Sequence, residues 1–276
     1  MLEQLKYKNH LNEVFEFGKD GIYINTSDLH NYKWTVTQKG NRISGFDYGV
    51  QERTLPVIIM CGTEEQGIEA RNRLFEITEK DIRANQHGQI IIGDYYFKCF
   101  VTGSTKANYL TSGRYITISL ALSSDFPYWV KETVHGFGVK IETFSLREPG
   151  IDYPFDYPYD YPASVRSNDL NNTDFVASNF RMIIYGACTN PAVTIGEHTY
   201  RVNCTVNPGE YLVIDSVAKT VKLTQNNGFV VNKFNDRDKD SYIFEKIPPG
   251  QSFLSWSGDF GFDIILLEER SEPKWT

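Results

Sequence analysis

Short runs of β-branched and aromatic residues, separated by turns rich in Gly, Asn and Pro, recur along most of this chain. Such side chains fit a pleated, half-buried surface and therefore favour strands. One series of runs lies in the N-terminal half, at residues 21–24, 55–60, 89–93, 95–101 and 115–120. A second series follows at residues 180–185, 211–214, 221–223 and 264–267. The pattern predicts a mainly β protein.

Two domains are expected, because 276 residues exceed the roughly 100–150 residues of a typical domain. The first domain is predicted to cover residues 1–133 and the second residues 134–276. Short strands separated by turns indicate a β-sandwich in the second domain. Within the first domain, Gly93-Asp94 is expected to form a tight hairpin turn, since Gly readily takes a positive φ.

One segment, residues 63–82, has the pattern of an α-helix. Thr63 and Gln66 have the spacing of a capping box, and Glu64 and Glu65 suit the positive end of the helix dipole. A stripe of this helix is predicted to pack on a sheet. Its expected members are Ile68, Leu74, Phe75, Ile82 and the stem of Arg71.

An Asp-Tyr-Pro triplet recurs at four-residue spacing between the two series of strands, in residues 152–162. Proline at this density removes amide donors and fixes φ, so the segment is neither a helix nor a central strand. It is either a stiff linker or an arm that contacts a neighbouring subunit through its tyrosines. The tyrosines in question are Tyr153, Tyr157, Tyr159 and Tyr161.

The charge and hydropathy of the chain disfavour two classes of partner. The net charge is −7 and Lys and Arg form no long run, so stable nucleic-acid binding is not expected. No apolar stretch reaches the length of a membrane span, and the N-terminus lacks the apolar core of a secretion signal. We expect synthesis in the cytoplasm and no membrane partner.

The usual signatures of metal and catalytic sites are missing from the sequence. Its cysteines, Cys61, Cys99, Cys188 and Cys204, lack the paired spacing of zinc ligands, and its five histidines form no His-Glu-x-x-His pair. There is no Gly-x-Ser-x-Gly elbow and no complete phosphate-binding loop. The sequence therefore predicts neither an enzyme nor a cofactor.

One acidic cluster resembles the start of a calcium loop. Asp236, Asp238 and Asp240 alternate as the first ligands do, but Ser241 stands where the loop needs Gly and Ile247 where it needs Glu. A solvated turn between strands is the favoured interpretation, with a calcium site as the alternative.

Several motifs together resemble the distal tail proteins (Dit) of long-tailed bacteriophages. In the first half these are residues 15–18 through 28–30, the helix opening 63–74, the run 92–96 and the Phe-Pro-Tyr-Trp motif at 126–129. The Asp-Tyr-Pro arm is similar to the segment that follows this domain in such proteins. In the second half they are Asn190-Pro191, residues 207–211, Ile214-Asp215, residues 255–258 and residues 269–275.

The resemblance implies a ring-forming N-terminal domain, a β-sandwich with one packed helix, and a C-terminal galectin-like β-sandwich. The implied role is a structural hub of the tail tip, in the virion of a phage, a prophage or a tail-like bacteriocin. The ring, expected to be a hexamer, would join the tail tube protein to tail-fibre, tail-associated or baseplate proteins. DNA would pass through its lumen, and we expect acidic or small residues to line it.

A second function remains open, namely a tail-associated module that binds a host surface glycan through its second domain. Such a platform needs exposed aromatic rings beside polar groups, and Trp256, Trp275 and Tyr200 are the candidates. The alternative for Trp256 is a core or rim residue of the sandwich. The segment His-x-Asn-Pro-Arg of true galectins is absent.

Overall fold

The computed structural model describes residues 5–19, 21–24, 29–107, 114–139 and 169–274. These residues form the mainly β fold that the sequence predicts, and α1 (Glu64–Ala84) is the only α-helix among them. The strands of the N-terminal half are β1 (Leu5–Lys8), β2 (Val14–Glu16), β3 (Ile22–Ile24), β4 (Thr35–Lys39), β5 (Arg42–Asp47), β6 (Gln51–Met60), β7 (Gly88–Ile92), β8 (Tyr95–Ala107), β9 (Tyr115–Ser124) and β10 (Trp129–Phe137).

The C-terminal half contains a further set of short strands and one 3-10 turn at Phe234–Asp236. These strands are β11 (Asp169–Asn172), β12 (Asn179–Tyr185), β13 (Cys188–Thr189), β14 (Ala192–Ile195), β15 (His198–Arg201), β16 (Thr205–Val206), β17 (Tyr211–Asp215), β18 (Thr220–Thr224), β19 (Val230–Asn232), β20 (Gly250–Trp256) and β21 (Phe262–Arg270).

The chain divides into two compact units. The first unit comprises residues 1–132 and 269–276, and the second is Thr133–Glu268. The segment that begins at Glu269 thus belongs with the first unit, whereas the sequence predicts it in the second domain. Burial first, with the Glu269 carboxylate adding to it, raises the pKa of Tyr128 in the first unit.

In the first unit the 13-residue strand β8 belongs to two sheets. Its first part pairs with β7 and β10, and the order of that sheet is β10-β8-β7-β1-β2. Its second part pairs with β9, which continues through β6 to β3. Near the point where β8 changes its partner strands, the pairing register with β9 shifts between Val101 and Gly103. A shift of this kind is a β-bulge, which bends the strand.

The turn between β7 and β8 is the one predicted from Gly93-Asp94. Ile92 and Tyr95 are Cα partners, and Gly93 has a φ of +56°. A positive φ at this place suits the twist of the two strands and favours Gly. The hairpin prediction is confirmed.

The start of α1 is also confirmed, but its buried face differs from the prediction. Thr63 Oγ1 accepts from the Gln66 amide and Gln66 Oε1 from the Thr63 amide, each at 3.3 Å. Of the predicted stripe, only Leu74 is buried. Small residues let a helix approach a sheet closely, so the side with Gly and Ala is the one that packs. The buried residues are Gly67, Ala70, Leu74, Ile77, Thr78 and Asp81.

The second unit is a β-sandwich. One sheet has the order β19-β18-β17-β12-β21 and the other β11-β20-β14-β15. Alternate residues point inward from both sheets, so that Phe180, Ile214 and Leu254 are fully buried in one core. No α-helix in the part of the chain that the structure describes is long and apolar enough to cross a membrane.

Candidate assembly surface

The hairpin of β4 and β5 is exposed along its whole length. Every residue of β4 is exposed, and so is every residue of β5 except Gly45. Two strands alone bury too little apolar area to be more than marginally stable in water. A partner surface would therefore stabilise this hairpin.

One face of the hairpin is apolar. Val36 and Phe46 are Cα partners, and so are Gln38 and Ile43, because a register shift at Gln38 leaves Ser44 as the extra residue. Residues opposite each other share a face, as do residues two apart on one strand. Val36, Ile43 and Phe46 therefore form one stripe, with exposed fractions of 43%, 60% and 64%. We call this stripe the hairpin face.

Aromatic rings hold the base of the hairpin. Trp34 directly precedes β4 and Tyr48 directly follows β5, and their rings stack with centroids 4.6 Å apart. Tyr128 packs edge-on to Tyr48 at 5.2 Å, and Phe126 packs on Tyr128 at 5.3 Å. The two ends of the hairpin are thus fixed against each other.

A buried arginine ties this base to the core. Arg53 is 5% exposed and donates to the carbonyl oxygen of Leu29 and, at 3.3 Å, to the hydroxyl of Tyr48. Its guanidinium lies 4.3 Å from the ring centroid of Phe97, a cation–π contact. The indole of Trp129 donates to the same Leu29 carbonyl at 3.3 Å. Burial is the main cause of the raised pKa of Tyr48.

A second apolar surface lies on α1. Ile68, Phe75 and Ile82 are 44%, 58% and 39% exposed, and their seven-residue spacing puts them on one stripe of the helix. Beside this stripe, between α1 and the strands β8 and β9, runs a cleft of about 210 Å³. Its apolar lining includes Leu74, Phe75, Val101, Ile118 and Leu120. We call this feature the helix cleft.

A buried carboxylate fixes the C-terminal end of α1 to the N-terminal strand. Asp81 is fully buried and accepts from the Tyr7 hydroxyl at 2.6 Å and from the His10 amide at 2.9 Å. The His10 ring lies 2.6 Å from the same carboxylate. Burial first, with Cys99 and Asp81 adding to it, raises the pKa of Tyr7. A Cβ at Gly88 would overlap both Tyr7 and Asp81, so this position requires Gly.

Neither of the two described candidates for the glycan platform presents a fully exposed ring. Tyr200 is 1% exposed and its hydroxyl donates to the Glu245 carbonyl at 2.8 Å, which is the placement of a core residue. Trp256 is half-buried, donates to the Phe260 carbonyl at 3.0 Å and packs on Phe262. Trp275 lies outside the described residues.

The predicted contact arm also lies outside the described residues, so that Tyr153, Tyr157, Tyr159 and Tyr161 remain a prediction. The acidic cluster takes the form of local turns. Asp236 pairs with Lys233 at 2.9 Å, and Asp238 accepts from the Asp240 amide at 3.1 Å. Among the described residues, no group of three or more His, Cys, Asp or Glu side chains could hold a metal ion.

Sequence reasoning missed the hairpin of β4 and β5. A signal was present, since Gly40-Asn41 is a turn dipeptide flanked by segments that alternate between apolar and polar residues. Gly40 indeed has a φ of +62°. The exposed members of the predicted helix stripe, Ile68, Phe75 and Ile82, are apolar, and the sequence pattern wrongly predicts them in the core.

Comparisons with known proteins show the fold. A chain in the structure of the phage P2 baseplate, in its activated conformation with Ca, is 12% identical and matches with a TM-score of 0.65 over 99% of this chain and 100% of that one. The crystal structure of Dit from phage SPP1 is 9% identical and matches with a TM-score of 0.58, over 98% of this chain and 99% of that one. No family model and no curated sequence matches. The predicted Dit-like fold is confirmed.

Proposed function

We propose that this chain is a structural, non-enzymatic hub of a phage tail tip, which forms a ring between the tail tube and tail-tip or baseplate proteins. SPP1 Dit is described as a paradigm of the hub adsorption apparatus of phages that infect Gram-positive bacteria, and this chain has its fold. A fold alone does not establish a function. The observation that supports a ring-forming hub is the exposed, apolar hairpin face.

The hairpin face has the properties of an interface for self-association. Val36, Ile43 and Phe46 are apolar, adjacent and exposed, and exposed apolar groups of this kind are typical of protein contacts. The stacked base of Trp34 and Tyr48 holds them in one orientation before binding. Such preorganisation reduces the entropy that association must overcome.

The resemblance to distal tail proteins supports three further parts of this proposed function. The ring has six subunits, it binds the tail tube protein and the fibre or baseplate proteins, and it lies at the tail tip. A ring subunit acts through geometry, because repeated contacts close a cycle around an axial channel. We expect acidic or small residues along that channel, since they do not retain phosphate groups.

Mass photometry and negative-stain electron microscopy of the full chain test the proposal. We expect rings for the wild type, and at least a tenfold loss of rings for the double variant Ile43→Ser, Phe46→Ser. Phe253→Ser is the matched control, because Phe253 is 62% exposed and lies in the second unit. A wild type that stays monomeric, alone and with its neighbouring tail proteins, would contradict the proposal.

A further inference from the structure

We infer that the hairpin face of one copy packs into the helix cleft of the next copy. This inference rests on the proposed function, because it names the two surfaces through which the ring would close. The occupant of the cleft is thus a second copy of this chain.

The two surfaces match in their chemistry. The hairpin face offers two large apolar side chains, Ile43 and Phe46, that are more than half exposed. The helix cleft presents the exposed ring of Phe75 above the buried side chains of Ile118 and Leu120. Insertion of Phe46 beside Phe75 would remove both rings from water, and aromatic pairs of this kind add to the gain from burial.

The charges around both surfaces are complementary. Lys39 and Arg42 lie exposed at the tip of the hairpin, and Asp47 lies exposed at its base. The cleft has an acid on its helix side, Glu79, and a base on its strand side, Lys106. Each surface thus carries charges of both signs, so that a docked hairpin can pair its basic residues with Glu79 and Asp47 with Lys106.

A pairing of two different surfaces also allows assembly to close into a ring. Both surfaces are exposed in the same copy, so the hairpin does not fill its own cleft. A contact between two different surfaces is heterologous, and repetition of it gives a ring when the rotation closes. Packing of one hairpin face against another would be a symmetric contact and would stop at a dimer.

Complementation between two blocked copies tests this pairing. Phe46→Arg removes the hairpin face and keeps the cleft, whereas Phe75→Arg blocks the cleft and keeps the hairpin. Each variant alone is expected to be monomeric by mass photometry. An equimolar mixture is expected to give dimers, since one intact hairpin meets one intact cleft and neither remaining surface can extend the chain. Phe253→Arg is expected to form rings as the wild type does.

The outcomes separate this inference from the proposed function. If the wild type forms rings and Phe75→Arg forms them too, the pairing of hairpin and cleft is wrong, but the proposed hub function stands. The same holds if the wild type forms rings and the mixture of the two variants stays monomeric. A monomeric wild type would overturn both. Because both changes are at exposed sites, the melting temperature should stay near that of the wild type, which checks that each variant folds.

Photo-crosslinking gives a second measurement that needs no blocking variant. Benzoylphenylalanine at position 46, in chains mixed with isotope-labelled wild type, is expected to crosslink to peptides of α1, β8 or β9 from the labelled copy. Crosslinks to another region of the labelled copy would overturn the pairing.

Discussion

Trp34 and Tyr48, the residues on either side of the exposed hairpin, stack with their ring planes 20° apart and their centroids 4.6 Å apart. The contact closes the base of an element that has little support along its strands. The orientation of the hairpin face therefore depends on residues outside the hairpin.

Replacement of Trp34 by Ala should loosen the hairpin. A stacked aromatic pair contributes about 1 kcal/mol of stability beyond the burial of its rings. Its loss should therefore destabilise the base of the hairpin. Trypsin should then cleave faster after Lys39 and Arg42, which are exposed. The rate of cleavage at these two sites is the measurement, and Phe229→Ala, at another exposed aromatic residue, is the control. An unchanged rate would show that the stack does not hold the hairpin.

Replacement of Asp81 by Asn should destabilise the first unit by about 3 kcal/mol, as expected when one partner of a buried pair is removed. The amide keeps the size of the carboxylate but cannot accept from Tyr7 and His10 in the same way. Urea unfolding gives the change in the free energy of unfolding. Asp240→Asn, at an exposed turn, should change it by less than about 0.5 kcal/mol. Equal effects of the two changes would contradict the prediction.

The four cysteines should differ in their reactivity toward a thiol reagent at pH 8. Burial raises the pKa of Cys99 to about 12 and that of Cys188 to about 11, so almost no thiolate forms there at pH 8. Burial also raises the pKa of Cys204. Cys61 is the least buried of the four and should react first, before unfolding exposes the others. Rapid labelling that persists in Cys61→Ser would contradict this order.

The carboxyl group of Glu16 should titrate near pH 2. Hydrogen bonds from Lys19 and Lys6 lower its pKa from 4.5 to about 2, and the Lys6 nitrogen lies 2.8 Å from the carboxylate. A lowered folded-state pKa stabilises the fold above pH 4.5, and this contribution is lost as the pH falls toward 2. An NMR titration measures the pKa directly. The variant Lys6→Ala, Lys19→Ala should restore it toward 4.5, and a value near 4.5 in the wild type would refute the prediction.

Local patterns predicted the elements whose geometry is set by a few neighbouring residues. The cap at Thr63 and Gln66 and the turn at Gly93 depend on contacts within a few residues, and both were found. The alternation in residues 180–185 and 211–214 likewise identified β12 and β17, because one side of each strand packs on the core.

The buried face of α1 could not be predicted in the same way. Periodicity shows which residues share a stripe, but not which stripe meets the sheet. Phe75 is more apolar than Gly67 and Ala70, yet it is exposed and they are buried. Only the distance between helix and sheet decides the choice, and that distance depends on the whole fold.

The exposure of the hairpin face escaped prediction for a related reason. Val36, Ile43 and Phe46 alternate with polar residues as they would in a half-buried strand, so their pattern does not reveal that they face solvent. Tyr200 gives the opposite case, since a tyrosine beside polar residues suggested a platform but serves the core. Exposure is a property of the tertiary structure, which one sequence does not display.

The membership of β8 in two sheets has a mechanical consequence for the first unit. A single covalent chain runs from the pairs with β7 and β10 into the pairs with β9, so neither sheet can slide without dragging the other. A force applied along this strand would be distributed over the backbone hydrogen bonds that join β8 to β7, β9 and β10. A protein that must stay rigid while its neighbours move would gain from such a continuous tie.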